Sequence, residues 1–402
     1  MRRYPVAVVL FTVFVDLLGF GIVLPILPFY AQVYGATPVQ IGAIIAAFSL
    51  MQFLFTPVWG RVSDRVGRRP VILVSLFGSV ASYLLFARAE SVLALLASRM
   101  LAGVAGANLA AAQAYIADVT TPETRARGMG WISAAFGLGY MMGPPIAALV
   151  SIRWGVHAPG YVAAALALVN LILARLWLPE AVPTADKSLM RRTFDPRVLH
   201  RVLNRPVLGG VTLTMTAVAL ATSGVTAMLA LMLQARFGFD ATRTAWVFSL
   251  IGLTTSAIQL GFVHTLVKRY GEKRLTMAGI IVLALSLLAL AGAPTPGMLR
   301  VVIITYAIGF AVIGPSALSL VSRAAEDGEQ GMVIGVVQSL GALARVFGPM
   351  AAGIALGRLG ATAPMVAGSI VCGLACVYMW YHLRPRGRAG DVAQPAPLPV
   401  GD

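Results

Sequence analysis

Residues Gly60–Pro70 read GRVSDRVGRRP, a short charged segment that separates two long apolar runs. Five of its eleven positions carry a charge, namely Arg61, Asp64, Arg65, Arg68 and Arg69. Cationic loops beside membrane spans stay on the cytoplasmic side of the bilayer. The segment therefore predicts a cytoplasmic hinge between two spans, and it sets the orientation of every other span.

The composition of the whole chain predicts a membrane location. Of its 402 residues 58% are hydrophobic and only 11% are charged, with a mean hydropathy of +0.84, whereas a soluble domain has about 25% charged residues. The net charge of +16 comes from basic residues in short turns, so we expect the lipid bilayer and no nucleic acid as a partner. Cys372 and Cys376 lie in one apolar run and are interpreted as packing residues rather than as a disulfide.

Apolar runs of roughly 20 residues, the length that crosses a bilayer, occur twelve times along the chain. The first contains Asp16 and has no small-residue cleavage site, so it is interpreted as a span and not as a signal peptide. The pattern predicts an N-terminal six-helix bundle (1–178), a cytoplasmic linker (179–206), a C-terminal six-helix bundle (207–384) and a disordered cytoplasmic tail (385–402). The predicted spans are 5–31, 40–60, 70–88, 91–117, 128–151, 159–178, 207–233, 243–264, 275–293, 298–322, 331–357 and 361–383.

The placement of the basic residues supports this count. With both termini inside, an even number of spans leaves most of the 31 Lys and Arg residues on the cytoplasmic side. The exceptions in predicted outer turns are Arg88, Arg153, Arg236, Arg243 and Arg358. An odd number of spans would scatter the basic residues over both sides.

The two halves of the chain repeat each other. The fifth and eleventh predicted spans match at a separation of 205 residues, in the pairs Gly130 and Gly335, Gly143 and Gly348, Pro144 and Pro349, and Ala147 and Ala352. The Gly60–Pro70 segment has a degraded copy, KRYGEKR, in which Lys268 replaces Asp64. Duplicated six-span halves around a central cavity are one of the architectures of transporters.

Several motifs resemble those of a known family. GRVSDRVGRRP is similar to the signature loop between the second and third spans of the major facilitator superfamily. The other motifs resemble its drug/proton antiporter branch, which includes the tetracycline efflux proteins. They are DLLGFGIVLPILP from Asp16 to Pro28, Arg99 followed by Gly103, AYIAD ending at Asp118, and Gly130, Gly139, Gly143 and Pro144. The resemblance implies an all-α membrane protein of 12 transmembrane helices in two pseudo-symmetric six-helix bundles.

Asp16 is the candidate proton carrier. It lies about eleven residues into the first span, which at about 1.5 Å per residue places it near the middle of the bilayer. It is the only carboxylate clearly inside a predicted span, and a charged carboxylate in hydrocarbon is costly. Such a group can take up and release a proton as access alternates; the alternative is an acid that is permanently paired for structural reasons.

Two arginines also lie inside predicted spans. Arg99 comes nineteen residues before Asp118, or about 28 Å on one helix, which places it in the outer half of the membrane. The resemblance implies that Arg99 takes part in proton coupling, whereas the alternative is a side chain that snorkels to the outer surface. Arg345, deep in the eleventh span, is expected to face the cavity or a carboxylate.

The fifth-span motif predicts a packing seam at Gly130, Gly139, Gly143 and Pro144. Small residues allow another helix to approach closely, and Pro144 removes a backbone hydrogen bond. Ala147 and Ala148 stand where the family pattern usually has glycine. Ordinary close packing is the alternative explanation, and antiport is implied by the resemblance alone.

The signature loop is also a candidate gate. Asp64 can dock at the start of the eleventh span, where the positive end of a helix dipole lies, and Asp118 can pair with Arg68 or a neighbouring arginine. These contacts would lock the halves when the inner side is closed; the alternative is a loop that serves only for topology, with a tight turn at Gly67. The predicted gating residues are Gly60, Asp64, Arg65, Gly67, Arg68, Arg69 and Asp118.

The predicted cavity has few fixed charges. Where the tetracycline proteins have one His and two Asp residues in their spans, this chain has Thr255, Leu283 and Ser82. Such a cavity suits lipophilic compounds better than sugars or phosphates, which need many hydrogen bonds or several cations. The candidate cavity residues are Phe48, Gln52, Asn108, Gln113, Phe136, Tyr140, Trp246, Gln259, Gln338 and Arg345.

No enzyme signature is found in the sequence. The four histidines have no metal-ligand spacing, and no GxxxxGK[ST] phosphate loop is present, so neither a metal nor any other cofactor is expected. We therefore expect a secondary transporter of the cell (inner) membrane that exports small lipophilic compounds in exchange for protons by alternating access. The alternatives are an importer or uniporter of an endogenous metabolite and a membrane sensor that transports nothing.

Overall fold

A computed structural model describes residues 3–107, 109–119, 122–180, 196–326 and 329–383. Within these ranges the secondary structure is entirely helical. The helices are α1 (Arg3–Val23), α2 (Leu27–Val33), α3 (Pro38–Val66), α4 (Arg68–Ala87), α5 (Val92–Gly106), α6 (Leu109–Val119), α7 (Pro122–Trp154), α8 (Ala158–Trp177), α9 (Pro196–Asn204), α10 (Pro206–Phe237), α11 (Ala241–Gly261), α12 (Val263–Tyr270), α13 (Glu272–Gly292), α14 (Pro296–Ala324), α15 (Gln330–Leu359) and α16 (Ala363–His382).

The helices confirm the predicted all-α membrane fold. Among the described residues ten helical stretches are long and apolar enough to cross a bilayer, and the bent pair α1–α2 is an eleventh. The remaining predicted span, the fifth, corresponds to the 33-residue helix α7, many of whose side chains lie outside the described part of the chain. The order along the chain is therefore six spans, a linker and six spans.

Two predicted spans are interrupted among the described residues. The first bends by 45° between α1 and α2, because Pro25 and Pro28 each lack the N–H that continues a helix. The fourth runs from Val92 to Ile116, across Asn108, which lies outside the described residues. The eighth is divided into α11 and α12 at Phe262.

The predicted linker contains a helix that the sequence analysis did not expect. Helix α9 packs the buried side chain of Val202 into the core of the second half. At the end of α9, Arg205 forms an ion pair with Glu329 (2.7 Å), directly before α15. The linker is thus attached to the second bundle from residue 196 onward. Residues 181–195 and the predicted tail at 385–402 lie outside the described residues.

The two halves contact each other through α3 with α15 and through α7 with α11. We call the end that carries Gly60–Pro70 the signature end and the opposite end the distal end. In the distal part of the interface, α15 approaches α3 so closely that a Cβ atom on Gly353 would lie 2.6 Å from the carbonyl oxygen of Pro38. A Cβ atom on Gly252 of α11 would likewise lie 3.0 Å from the Cα atom of Met141 in α7.

The core of the first half extends across this distal interface. Met228 and Leu231 of α10 are buried in the same cluster as Leu27 and Tyr30 of α2. Towards the signature end, the ion pairs formed by the described residues join partners within the first half, within the second half, or between the linker and the second half. Among the described residues, close contact between the halves is thus seen at the distal end, and no ion pair joins them at the signature end.

Candidate functional site

Asp16 lies in the middle of the first span, as predicted. It is the fourteenth residue of the 21-residue helix α1, and its Oδ1 atom is buried. One turn before it, the side chain of Asn170 in α8 donates a hydrogen bond to the backbone carbonyl of Thr12 (3.4 Å), and the Thr12 hydroxyl donates to Asn170 Oδ1 (3.3 Å). Both polar side chains are buried, so this pair fixes α8 against the turn that precedes Asp16.

The predicted packing seam holds α7 against α1 on either side of Asp16. A Cβ atom on Gly139 would meet the carbonyl oxygen of Phe14 and would lie 2.8 Å from Leu17 Cβ. A Cβ atom on Gly143 would lie 2.5 Å from the carbonyl carbon of Gly21. The glycines of the motif therefore contact the helix that carries the acid. Helix α7 continues without a break through Pro144, while the surroundings of Gly130 lie outside the described residues.

In the second half, α15 packs against α10 as α7 packs against α1, but no acidic residue takes the place of Asp16. A Cβ atom on Gly348 in α15 would lie 2.5 Å from the carbonyl oxygen of Leu220 and 3.0 Å from the backbone nitrogen of Gly224 in α10. Gly224 thus corresponds to Gly21, and the position equivalent to Asp16 falls at Ala219. The repeat preserves the close packing of helices, and the carboxylate belongs to the first half alone.

We expect Gly143→Ala to weaken this seam. The added methyl group would meet backbone atoms of α1, which cannot rotate away, and overpacking of this kind costs about 1–3 kcal/mol. Gly335→Ala is the matched control, because no atom lies within 4 Å of the Cβ position there. The measurement is the thermal unfolding midpoint of the purified protein in detergent. Equal midpoints for the two variants would contradict the proposed tight contact.

Arg99 is buried, so it does not snorkel to the outer surface. Its side chain is 4% exposed, and its guanidinium lies over the rings of Phe86 (4.8 Å) and Tyr83 (5.9 Å). Its Nε atom donates to Ser98 Oγ at 3.4 Å, whereas Nη2 has no hydrogen-bond partner among the described residues. The positive charge is therefore held in an apolar and aromatic environment inside the first half.

Tyr83 lies between helix α1 and Arg99, and sequence reasoning missed it. The hydroxyl group of Tyr83 occupies the place that a Cβ atom on Gly19 would take. Gly19 lies one turn after Asp16 on the same face of α1. On its other side, the Tyr83 ring lies 5.9 Å from the guanidinium of Arg99. An aromatic side chain on α4 thus lies between the helix that carries the acid and the arginine on α5. A lone Tyr in an apolar span gives no sequence signal for this role.

The signature loop is organised around Arg68. Arg68 forms ion pairs with Asp64 (2.5 Å) and with Asp118 (2.9 Å), and it donates a hydrogen bond to Ser63 Oγ (3.0 Å). The side chains of Arg68 and Asp118 are 3% and 5% exposed, whereas that of Asp64 is 35% exposed. The predicted pair of Arg68 and Asp118 is therefore present, and it ties α4 to α6 within the first half.

Asp64 pairs with Arg68 in this structure, not with the start of α15. The residue directly before α15 is Glu329, whose carboxylate pairs with Arg205 of the linker. Docking of Asp64 at the start of α15 in a closed state stays a prediction. Arg65 is exposed and is available for contacts in that state.

Glu180 is a further residue of the loop that sequence reasoning missed. It follows the sixth span, and its Oε1 atom accepts a hydrogen bond from the backbone N–H of Arg69 (3.2 Å) at the start of α4. The Arg69 side chain donates to the carbonyl of Arg175 (2.8 Å). Together these contacts attach the loop to the end of α8.

Gly67 is required at the turn for two reasons. Its φ and ψ of 99° and 164° belong to a region that is essentially restricted to glycine and costs other residues about 1–3 kcal/mol. A Cβ atom at this position would also lie 2.5 Å from Glu180 Oε1. We therefore expect Gly67→Ala to lower the unfolding midpoint. Gly60→Ala is the control, since no atom lies within 4 Å of that position, and an unchanged midpoint for Gly67→Ala would refute the argument.

The second half carries the same ion pair with its charges exchanged. Glu272 follows Gly271 as Arg68 follows Gly67, and it pairs with Arg323 (3.0 Å) where the first half has Asp118. Ser319 Oγ donates to Glu272 Oε1 (3.2 Å). The repeat therefore conserves a pairing between equivalent helices while both charges are reversed.

The predicted cavity residues near the distal end contact α5. Phe48 lines a small apolar pocket with Phe20 and Arg99, and the rings of Phe20 and Phe48 are 5.0 Å apart. Gln52 donates a hydrogen bond to the carbonyl of Gly106 (3.1 Å). Phe48 therefore lies next to the buried arginine, and Gln52 contacts the end of α5.

Other predicted cavity residues are more exposed. Gln113, Gln338 and Arg345 are exposed, and so is Gln259, whose side chain donates to the carbonyl of Ala311 (3.4 Å). Three predicted residues cannot be placed: Asn108 and the side chains of Phe136 and Tyr140 lie outside the described residues.

Trp246 lies on an exposed apolar face of α11. It lies seven residues before Leu253 and fourteen before Leu260, which places all three on one face of α11. Their side chains are 49%, 58% and 70% exposed, whereas Gly252, on another face, contacts α7. Exposed apolar side chains occur both on lipid-facing surfaces and on cavity walls, so the placement of Trp246 in the cavity stays a prediction.

The three positions that are ionisable in tetracycline proteins lie among neutral groups here. Leu283 and Ser82 are completely buried in the two halves. Thr255 Oγ1 is buried and has no hydrogen-bond partner among the described residues. Within the same residues no group of three or more His, Cys, Asp or Glu side chains could hold a metal ion.

Comparison with known proteins agrees with these features. The family model of the Major Facilitator Superfamily matches residues 9–349 and 211–400. The class C tetracycline resistance protein of Escherichia coli is 33% identical over 347 residues, covering 85% of this chain and 87% of that protein. The crystal structure of the human organic anion transporter MFSD10 (TETRAN) is 27% identical, with a TM-score of 0.70 over 94% of this chain and 99% of that one.

A third comparison concerns the fold alone. A bacterial homologue of the human lysosomal transporter Spinster, in an inward-facing and occupied conformation, superimposes with a TM-score of 0.80 at 14% identity. The alignment covers 95% of this chain and 97% of that chain. With the family model spanning nearly the whole chain and its duplicated six-span halves, the chain belongs to the major facilitator superfamily of membrane transporters.

Proposed function

We propose that this protein is a secondary active transporter that exports small lipophilic compounds in exchange for protons. The observation that carries the proposal is Asp16, a carboxylate in the middle of the first span, beside the α7 seam and one turn before the contact of Tyr83 with α1. A carboxylate at this depth is functional by default, because its burial in the membrane is costly. The class C tetracycline resistance protein, a relative by sequence, supports efflux as the direction.

The orientation follows from charge. The signature end carries the exposed Arg61 and Arg65 and the basic residues of α12, and cationic loops remain cytoplasmic. We therefore place the signature end, both termini and the linker in the cytoplasm, and the protein in the cell (inner) membrane. In this orientation we assign the structure to an inward-open state, because α3 and α15 meet closely at the distal end.

In the proposed cycle Asp16 exchanges its proton with the side that is open. It binds a proton when the distal end is open and releases it when the signature end is open, and Arg99 favours release because its positive charge stabilises the carboxylate across Tyr83. No ATP-binding loop is present, so the proton gradient supplies the energy, at about 2.3 kcal/mol per charge for each 100 mV of membrane potential.

The proposed gate is the signature loop. When the signature end closes, Asp64 would leave Arg68 and dock at the positive end of α15, while Arg68 and Asp118 remain paired. The partial exposure of Asp64, compared with the burial of its two partners, supports this division of roles. The glycines of the α7 seam give α1 and α7 a rigid contact, so that the first half moves as one body.

Two other functions are weighed against this one. A carrier of an endogenous metabolite, as importer or uniporter, is favoured by the similarity to the human organic anion transporter MFSD10. A membrane sensor that transports nothing is the second. We propose no enzymatic activity, because neither the motifs nor the family indicates a reaction.

Reconstitution in proteoliposomes tests the proposal. With the interior made acidic or alkaline, we expect the flux of lipophilic compounds from a broad panel to follow the imposed pH gradient and to reverse with it. A protonophore should abolish this dependence, and protein-free liposomes are the control. Flux that is independent of the gradient would instead support a uniporter, and no flux of any compound would support the sensor.

A further inference from the structure

Arg345 is a cation in the middle of the membrane that pairs with no described residue. It is the sixteenth residue of the 30-residue helix α15, and its side chain is exposed. None of the ion pairs or side-chain hydrogen bonds formed among the described residues includes it. A charged arginine at such a depth costs free energy when it faces lipid hydrocarbon. Its role therefore depends on whether the side chain points to lipid or to the interior of the bundle.

The neighbours of α15 show that Arg345 points into the central space. One face of α15 packs on α10 through Gly348, and another packs on α3 through Gly353. At 3.6 residues per turn Arg345 lies about 60° from Gly348 and about 80° from Gly353 around the helix axis, between the two contacting faces. The side chain therefore projects into the space enclosed by α3, α10 and α15.

The lipid-facing side of α15 lies on the opposite side of the helix. Phe347 and Ile354 are 57% and 42% exposed, and they lie about 160° and 180° around the axis from Arg345. Exposed apolar side chains mark the lipid surface of a span, whereas an exposed Arg on the other side marks a water-accessible cavity. We therefore interpret the exposed side chain of Arg345 as facing the cavity.

The surroundings of Arg345 leave room for a ligand. Gly341 and Ala342 lie one turn earlier with minimal side chains, and the Nη1 atom of Arg345 lies 3.7 Å from the Cβ position of Gly341. Gln338 lies seven residues before Arg345 on the same face and is also exposed. The cavity wall therefore carries the guanidinium of Arg345 and the amide of Gln338. The small residues Gly341 and Ala342 lie between them.

Building on the proposed transport function, we propose that Arg345 binds an anionic group of the substrate, and that the substrates are amphipathic organic monoanions. A planar guanidinium forms two parallel hydrogen bonds with a carboxylate or sulfonate. Gln338 supplies further hydrogen-bonding groups towards the signature end, and the apolar cavity walls bind the rest of the molecule. Charge neutralisation by the substrate removes the cost of the unpaired cation, so the anion favours occupancy over an isosteric neutral compound.

Binding to purified full-length protein in nanodiscs tests this assignment with three matched probes. They are naphthaleneacetate, naphthaleneethanol and naphthylethylamine, which share one ring system and differ in charge. A ligand that binds the folded state raises its unfolding midpoint. We expect the anion to raise the midpoint at lower concentrations than the other two. Equal effects of the three probes, or a preference for the cation, would overturn the proposal.

Substitutions at Arg345 test whether this residue binds the anionic probe. We expect Arg345→Gln to weaken binding of naphthaleneacetate about tenfold or more, as the loss of a charge-assisted hydrogen bond does, and to leave the neutral probe unaffected. Arg345→Lys keeps the positive charge and should retain part of the preference for the anion. This variant also tests the assignment if Arg345→Gln does not fold. Arg358→Gln, on the same helix beyond the Gly353 contact, is the control. A full preference in Arg345→Gln would overturn the assignment.

The outcome separates this inference from the proposed transport function. Anion binding that depends on Arg345, without flux driven by a pH gradient, would contradict proton-coupled export and leave the anion site intact. Gradient-driven flux of neutral compounds that is unchanged in Arg345→Gln, with no preference for the anion, would contradict the anion site alone.

Discussion

Asp16→Asn is expected to reduce flux driven by a pH gradient to the level of protein-free liposomes. Asparagine has nearly the shape of the protonated acid, so α1 keeps its contacts with Gly139 and Gly143 of α7, but the side chain can no longer bind or release a proton. Exchange of labelled for unlabelled substrate at equal pH should continue, because it needs no net movement of protons. The measurement is substrate flux in proteoliposomes with and without the gradient.

The matched control for this variant is Asp240→Asn. Asp240 caps the start of α11 by accepting a hydrogen bond from the backbone N–H of Arg243 (2.7 Å), and asparagine caps helices as well as aspartate does. Its flux should equal that of the unaltered protein. If Asp16→Asn kept a flux that follows the gradient, Asp16 would not be the carrier.

Arg68→Glu is expected to have the largest effect on stability. It removes the partner of the buried Asp118 and places a third carboxylate beside Asp64 and Asp118. Loss of one member of a buried ion pair costs about 3–5 kcal/mol, and the added repulsion increases this cost. The measurement is the unfolding midpoint and the yield of monodisperse protein in detergent.

The second half of the chain suggests how to recover this loss. The triple variant D64K/R68E/D118R reproduces in the first half the charges of Lys268, Glu272 and Arg323. Because that pattern is already accommodated at the equivalent turn, we expect the triple variant to regain most of the stability that Arg68→Glu loses. A triple variant no more stable than Arg68→Glu would mean that the two turns are not equivalent.

The fold was largely predictable from the sequence, for physical reasons. A bilayer forces every span to be helical and about 20 residues long, so apolar runs such as 207–233 reveal helices such as α10. The depth of Asp16 follows from the same helical rise. The breaks were less predictable, because the bend near Pro25 depends on how α2 packs against α10, and the division of the eighth span at Phe262 has no strong local signal.

The site was predictable only in part. Arg68 and Asp118 could be paired from a motif, but the exposure of Arg99 and Trp246 depends on which side of a helix faces protein, and apolar spans carry little periodicity that would show it. Tyr83 and Glu180 act through contacts between helices that are distant in sequence. Such contacts are decided by the packing of the bundle and have no local pattern.

The position of Arg345 has an electrical consequence for the transport cycle. If each monoanion that leaves the cell is exchanged for one entering proton, every cycle moves two positive charges inward. A membrane potential of 100 mV would then contribute about 4.6 kcal/mol per cycle, twice what the export of a neutral compound would receive. A single arginine on α15 would thereby determine whether the transporter responds mainly to the pH difference or to the voltage across the membrane.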